Sequence, residues 1–438
     1  MTEPQDAQQE QAQAAPPQAE QQTALRRSLR ANRQFQLLWI GSTASAVGTQ
    51  LTALAYPLIV LAFTGSPGKA GLVGGIGFAA TLLLSLPAGV WVDRWDRRLV
   101  LLWCEAVRAA AIATVAVAML NDWLTLTHLI AVAAVNGAAS ALFVPAREVA
   151  IRSVVAPEQL GIAYAQEHAR IHGVTLAGPP LGGWMFGLGR SVPFVADAIS
   201  YLVSLVSIAL AKVPRRPEGG SAPSTGRTMR SDIAEAARWL WKQQLLRAIC
   251  VLAMVVNLGA SMMSLPTIVL VQERGGTSTV IGIVMAGAGV GGLLGSLLAT
   301  RIAQLLSVNH LLLAICGLDA VLMLSMTAPF GPYWPGVTLL LTGLLSPALS
   351  IPVQVQLAQQ TPPEMMARVQ SLLGVTISAI TPVAPVIGGY LTEGVGATLA
   401  IVIGSGMLAA CCLGGALSPV LRRGPSEADS PAPVAGKS

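Results

Sequence analysis

A carboxylate buried in hydrocarbon is costly, so an acid inside a long apolar run is a candidate for chemistry before it is a candidate for packing. Three acids of this chain stand in such runs. Asp319 lies deepest, near the middle of its run. Glu105 precedes Arg108 by three residues, a spacing that places both on one helix face. Asp197 lies about two helical turns into a third run. A carboxyl so placed can take a proton from one side of a membrane and release it on the other. For Asp319 two readings stay open, a proton carrier or a structural hydrogen-bond partner. Glu105 and Arg108 read as a structural ion pair that can also switch. The role of Asp197 is open.

Neutral polar residues in the same runs are Gln50, Asn136, Asn257, Gln354 and Gln356. They are candidates for lining a cavity or for bonding one helix to the next. His172 is a weak candidate pH sensor, whereas His128, His168 and His310 sit near loops. The five cysteines, Cys104, Cys250, Cys316, Cys411 and Cys412, show no metal-ligand spacing and read as small apolar packing residues. No metal and no cofactor is implied.

The runs that carry these residues dominate the chain. Of 438 residues, 53% are hydrophobic and only 11% charged, and the mean hydropathy is +0.63. A soluble domain carries about 25% charged residues. Twelve apolar runs follow one another between Phe35 and Val420, each long enough to cross the roughly 30 Å hydrocarbon core as a helix of about 20 residues. The expected fold class is an all-α membrane protein of twelve transmembrane helices in two pseudo-symmetric six-helix bundles. Of the 27 Lys and Arg, only Lys69, Arg190 and Arg274 fall in loops on one side, and Arg108 lies inside a run. The positive-inside rule therefore puts both termini in the cytoplasm. The +6 net charge reads as topogenic, not as a nucleic-acid footprint.

Five segments are expected. Residues 1–33 are a disordered cytoplasmic tail, 34–211 a first six-helix bundle, 212–245 a cytoplasmic linker, 246–420 a second bundle and 421–438 a tail. The bundles look duplicated. Pro179-Pro180-Leu181-Gly182-Gly183-Trp184 in the fifth run answers to Pro385-Val386-Ile387-Gly388-Gly389-Tyr390 in the eleventh, and Pro157-Glu158 answers to Pro363-Glu364 at the same offset. Parallel duplication of a six-helix unit is a transporter signature.

The sharpest motif is Gly89-Val90-Trp91-Val92-Asp93-Arg94-Trp95-Asp96-Arg97-Arg98, between the second and third runs. It packs two acids and three arginines into one turn. Arginine forks can bridge adjacent helix ends. Gly89, Asp93, Arg94, Arg97 and Arg98 resemble the loop 2–3 signature of the major facilitator superfamily, which usually has Gly where this chain has Asp96. The resemblance implies a gating loop whose Asp93 faces the start of helix 11, near Met366 to Ser371. Gly178, Pro179, Gly182 and Gly183 resemble the helix 5 antiporter motif of exporting members. Ala55-Tyr56-Pro57-Leu58, Pro145-Ala146-Arg147 and Asp197-Ala198-Ile199-Ser200-Tyr201 extend the likeness to the drug:proton antiporter branch, with its enterobactin and macrolide exporters. That branch often has an acid after the helix 1 glycine, where this chain has Gly48-Thr49.

The resemblance implies a monomeric secondary transporter of the inner (plasma) membrane. It would export a small amphipathic molecule (a drug, siderophore or secondary metabolite) by proton-coupled alternating access. The partners are the small-molecule substrate, protons and the lipid bilayer. An uptake carrier or uniporter of the same fold is the alternative. An ATP-driven pump needs G-x-x-x-x-G-K-[ST], and Gly68-Lys69-Ala70 lacks both the leading glycine and the hydroxyl. A membrane enzyme finds no Ser/His/Asp order or metal cluster.

Overall fold

The computed structural model describes residues 29–212, 244–303, 308–361 and 378–417, with a few isolated positions besides. Most of the expected tails and linker lie outside these residues, as do Met366 and Ser371. Within them the chain is helical. Twelve α-helices of 13 residues or more follow in order: α1 Arg33–Thr64, α2 Pro67–Arg94, α3 Arg97–Leu120, α4 Leu126–Val154, α5 Leu160–Leu188, α6 Val192–Leu210, α7 Gln244–Glu273, α8 Ser278–Ala303, α9 Val308–Ser325, α10 Trp334–Gln360, α11 Val383–Val395 and α12 Ala397–Leu417. Eight are long and apolar enough to cross a membrane.

Helix ends are set by local chemistry. Asn32 caps α1 by accepting from the Phe35 N–H, and Ser66 caps α2 by accepting from the Lys69 N–H. Asp96 caps α3, accepting from the N–H groups of Arg98 and Leu99. The aspartate in the arginine-rich turn is thus a helix N-cap. Gly65, at φ 66°, closes α1 in the left-handed region. Within the described stretches short connections turn successive helices back, so loops there alternate between two faces. One face carries the 95–96 turn and its arginines and is termed the arginine face; the other carries Gly65, Arg190, Arg274 and Gly396 and is termed the far face.

The duplication is visible in the packing. A Cβ on Gly282 (α8) would strike the Pro179 carbonyl of α5, and a Cβ on Gly183 (α5) would strike the Ser278 carbonyl of α8. The second pair repeats this pattern, with Gly71 (α2) on the Pro385 carbonyl of α11 and Gly389 (α11) on the Pro67 carbonyl of α2. Gly182 seats α5 on the Leu51 backbone of α1, and Gly388 seats α11 on the Met262 backbone of α7 in the same way. Missing side chains let these backbones touch, the usual device of membrane helices. The two crossings, α5 on α8 and α2 on α11, join the halves in their far-face portions. There Glu393, at the end of α11, accepts from the Ser66 hydroxyl at 2.5 Å and the Gly68 N–H at 2.9 Å. These bonds hold the exposed Glu393 carboxylate below its ordinary range, with Lys69 adding to the effect.

Candidate functional site

Between the halves lies a cavity of about 350 Å³. Its walls come from α1 (Thr49, Thr52, Tyr56), α2 (Val73, Gly77, Phe78), α3 (Arg108), α4 (Asn136, Ser140) and α6 (Tyr201), closed by Leu265 of α7 and Pro385 of α11. The volume falls within the range of small-molecule pockets. Its polar groups lie mainly in the first bundle.

Behind the first-bundle wall stands a buried charged cluster. Glu105 and Asp197 have no exposed surface and Arg108 has 5%. Asp197 Oδ2 accepts from Thr52 at 2.7 Å, and Ser200 donates to Oδ1 at 3.3 Å. Ser204 and Ser45 donate to the two oxygens of Glu105 at 3.0 and 3.4 Å. Arg108 Nη2 donates to Thr49 at 3.1 Å, and Thr49 and Tyr201 share a hydroxyl–hydroxyl bond at 3.0 Å. The guanidinium lies 4.4 Å over the Tyr201 ring.

No salt bridge joins Glu105 to Arg108, although they share a helix face. The carboxyl is taken up by two serines and the guanidinium by a threonine and an aromatic ring. One cation therefore stands among two acids, each held by hydroxyls. Thr52 is the link to the cavity, since it lines the wall and donates to Asp197.

Asp197 reaches this place because α1 makes room for it. A Cβ on Gly48 would overlap Asp197 Oδ1 and Ser200 Oγ. Gly41, two turns earlier, seats α1 against Ser204 and Ser207 in the same way.

The other sequence candidates separate into groups. Gln50 faces Gly178, where a Cβ would strike its side chain; Gly178 and Gly182 thus bind α5 to α1, while Pro179 and Gly183 bind it to α8. Asp319 sits on α9 beside the Cys316, Cys411 and Cys412 cluster and does not line the cavity; its Oδ1 is buried without a partner. Asn257 bonds back to Ala253 of its own helix. Gly89 has open space around it, and Arg94 is exposed. Arg97 is half-buried at the first turn of α3. Arg98 donates to the Ala209 carbonyl at the end of α6 and so bridges two helix ends. The side chains of Asp93, Gln354 and Gln356 lie outside those described.

Sequence reading missed a second cluster. Glu167 of α5 is buried and takes both Arg147 of α4 and Arg170, the latter at 3.0 Å; Arg170 also donates to the Ser42 carbonyl of α1 at 3.1 Å. The signal is an acid and an arginine three residues apart within the fifth apolar run, Glu167 and Arg170. Tyr56 and Tyr201 were noted only as parts of a resemblance. Their place in the cavity wall was not read.

Comparison with known proteins places this geometry. The family model described as Major Facilitator Superfamily matches residues 38–380 and again 247–438. A relative named multidrug efflux pump Tap, from Mycolicibacterium fortuitum, is 26% identical over 381 residues, covering 82% of this chain and 89% of the relative. Its namesake in Mycobacterium tuberculosis is 24% identical over 377 residues, covering 82% and 87%. Among solved structures, a mutant form of the nucleoside transporter NupG superposes with a TM-score of 0.70 at 13% identity, covering 88% of this chain and 98% of that one. A bacterial homologue of the iron transporter ferroportin in its inward-facing state gives 0.64 at 17%, covering 88% and 99%. At such identities the solved structures speak for the fold.

Proposed function

The chain belongs to the major facilitator superfamily, a family of membrane transporters and not of enzymes, and on that premise we propose that it exports small amphipathic molecules in exchange for protons. The observation that carries this reading is the cluster of Asp197, Glu105 and Arg108, one hydroxyl away from the cavity wall. A proton and a substrate that occupy adjoining sites can compete through a single conformational equilibrium. The names of the efflux relatives support the direction and the drug-like cargo.

The cycle we propose is alternating access across twelve spans, with both termini cytoplasmic and the protein monomeric in the plasma membrane. The arginine face is then the cytoplasmic face. The paired glycine crossings and the Glu393 bonds support an arrangement shut toward the outside. Substrate enters from the arginine side and settles between α1, α4 and α7. The halves then rock about the cavity, and a proton taken from outside returns the carrier. Gly89, Asp93, Arg94, Arg97 and Arg98 act as the gating turn, with Arg98 already tying α3 to α6.

Cells lacking or overproducing the protein test this reading against a panel of drugs and dyes. Overproduction is expected to lower accumulation of some compounds, and a protonophore to abolish the effect. Accumulation identical in both strains across the panel rejects export.

A further inference from the structure

A second and larger cavity opens on the far face. It measures about 600 Å³, against about 350 Å³ for the cavity between the halves. The two follow the same pair of helices. Along α1 the inner cavity takes residues from Thr49 to Pro57 and the outer one from Leu58 to Gly65. Along α7 the inner one takes Ser264 and Leu265, the outer one Val269 and Gln272. A buried block of Leu54, Leu58, Ile268, Ile281 and Val284 stands between them, and Leu61 and Phe186 pack on it from the vestibule side. The far-face cavity is therefore a vestibule over an apolar plug. Its walls come from α1, α2 and α5 of one half and from α7 and α8 of the other.

The lining is apolar at the floor and cationic at the rim. Leu58, Leu61, Phe186 and Val269 form the apolar part. Arg190, in the turn between α5 and α6, is the one charged residue among the described residues that line it. Its side chain is exposed, and among the described residues it makes no salt bridge and no hydrogen bond. The neighbouring acids are engaged elsewhere. Glu393 accepts from Ser66 and Gly68, and Glu273 lies within electrostatic reach of Arg274.

The duplication places a carboxylate at the matching point of the other crossing. The offset that sets Pro179 against Pro385 and Gly183 against Gly389 also sets Gly187 against Glu393. At the α2–α11 crossing the protein supplies that carboxylate itself. At the α5–α8 crossing Gly187 supplies no side chain, and the vestibule with its unpaired Arg190 opens there.

The geometry points to the vestibule as a binding site for anionic amphipaths, a carboxylate on a flat apolar body. The carboxylate meets Arg190 beside Gly187, and the body lies on Leu58, Leu61, Phe186 and Val269. The volume falls within the range of small-molecule pockets. Because such an occupant touches both halves, it is bound best by the arrangement in which the far face is shut.

The test is titration calorimetry of the full-length protein in phosphatidylcholine nanodiscs near pH 7. The probes are naphthalene-2-carboxylate and naphthalene-2-carboxamide, its uncharged counterpart of the same shape. Wild type is expected to bind the carboxylate about fivefold more tightly, the upper range for an ion pair open to solvent, and to lose part of that preference as salt is raised. Arg190→Gln is expected to bring the carboxylate down to the affinity of the amide and to leave the amide unchanged. Lys69→Gln removes a far-face cation that does not line the vestibule, and is expected to keep the preference. Equal binding of the two probes by wild type overturns the inference, as does no binding of either. A preference that survives Arg190→Gln, or one that Lys69→Gln removes as fully, overturns it too.

Discussion

Asp197 occupies the space that a side chain at Gly48 would need. Its Oδ1 and the Ser200 hydroxyl fill the gap left on α1, and Thr52, one turn further along α1, donates to Asp197 Oδ2 at 2.7 Å. The resemblance to drug:proton antiporters implies an acid just after this glycine, where the chain has Thr49. Here α6 delivers a carboxyl to the same neighbourhood of α1.

Gly48→Ala is expected to displace Asp197. A methyl forced into a packed helix contact costs about 1–3 kcal/mol. The variant should melt several degrees lower, as read by thermal unfolding in detergent, and lose most of its proton-driven efflux. Wild-type flux in this variant contradicts the placement.

Asp197→Asn keeps the shape and can still accept from Thr52, but removes the titrating group. Proton-driven efflux is expected to fall at least tenfold while substrate binding stays within about twofold, a split that calorimetry and flux together resolve. Asp319→Asn, on α9 beside the α12 cysteines and away from the cavity, is expected to leave flux within about twofold. If Asp319→Asn abolishes flux and Asp197→Asn does not, the coupling acid is the wrong one.

Glu167→Ala leaves Arg147 and Arg170 buried without their acid. Breaking a buried pair from one side costs about 3–5 kcal/mol. Folded yield, followed by size-exclusion chromatography, should collapse, and replacing Arg147 by Met in the same chain should restore part of it. Full yield of Glu167→Ala contradicts the structural role.

Glu393 holds the far-face seam, and the sign of its pH dependence follows from its bonds. Its carboxylate is held below the ordinary value of 4.5, so the bonds are complete above that value and weaken as pH falls through the lowered one. Ser278→Cys, at the companion far-face crossing of α8 on α5, should react slowly with an impermeant maleimide near pH 7 in a chain free of other cysteines. Adding Glu393→Gln should speed that reaction. Equal rates with and without Glu393→Gln contradict the seam.

Much of the fold was legible because run length and loop charge are one-dimensional signals. The apolar run at 99–120 forms the helix Arg97–Leu120, and the run at 279–301 forms the helix Ser278–Ala303. The halves were legible because Pro179 and Pro385 stand in matching contexts. The site was legible only in part. Depth along a helix can be read from sequence, which singled out Asp319, but the direction a side chain faces depends on neighbouring helices. Asp319 sits with the α9–α12 cysteines, whereas Asp197, Glu105 and Arg108 converge through hydroxyls of α1 and α6 that carry no signal of their own. Tyr56 and Asn136 come from different helices and meet only in three dimensions.

Inverted membrane vesicles give the most direct measurement of proton-driven export. With the lumen made acidic, a substrate found in the cell panel should accumulate inside the vesicles, and accumulation should vanish on adding a protonophore or in Asp197→Asn. Accumulation that is the same with and without the pH gradient contradicts proton-coupled export.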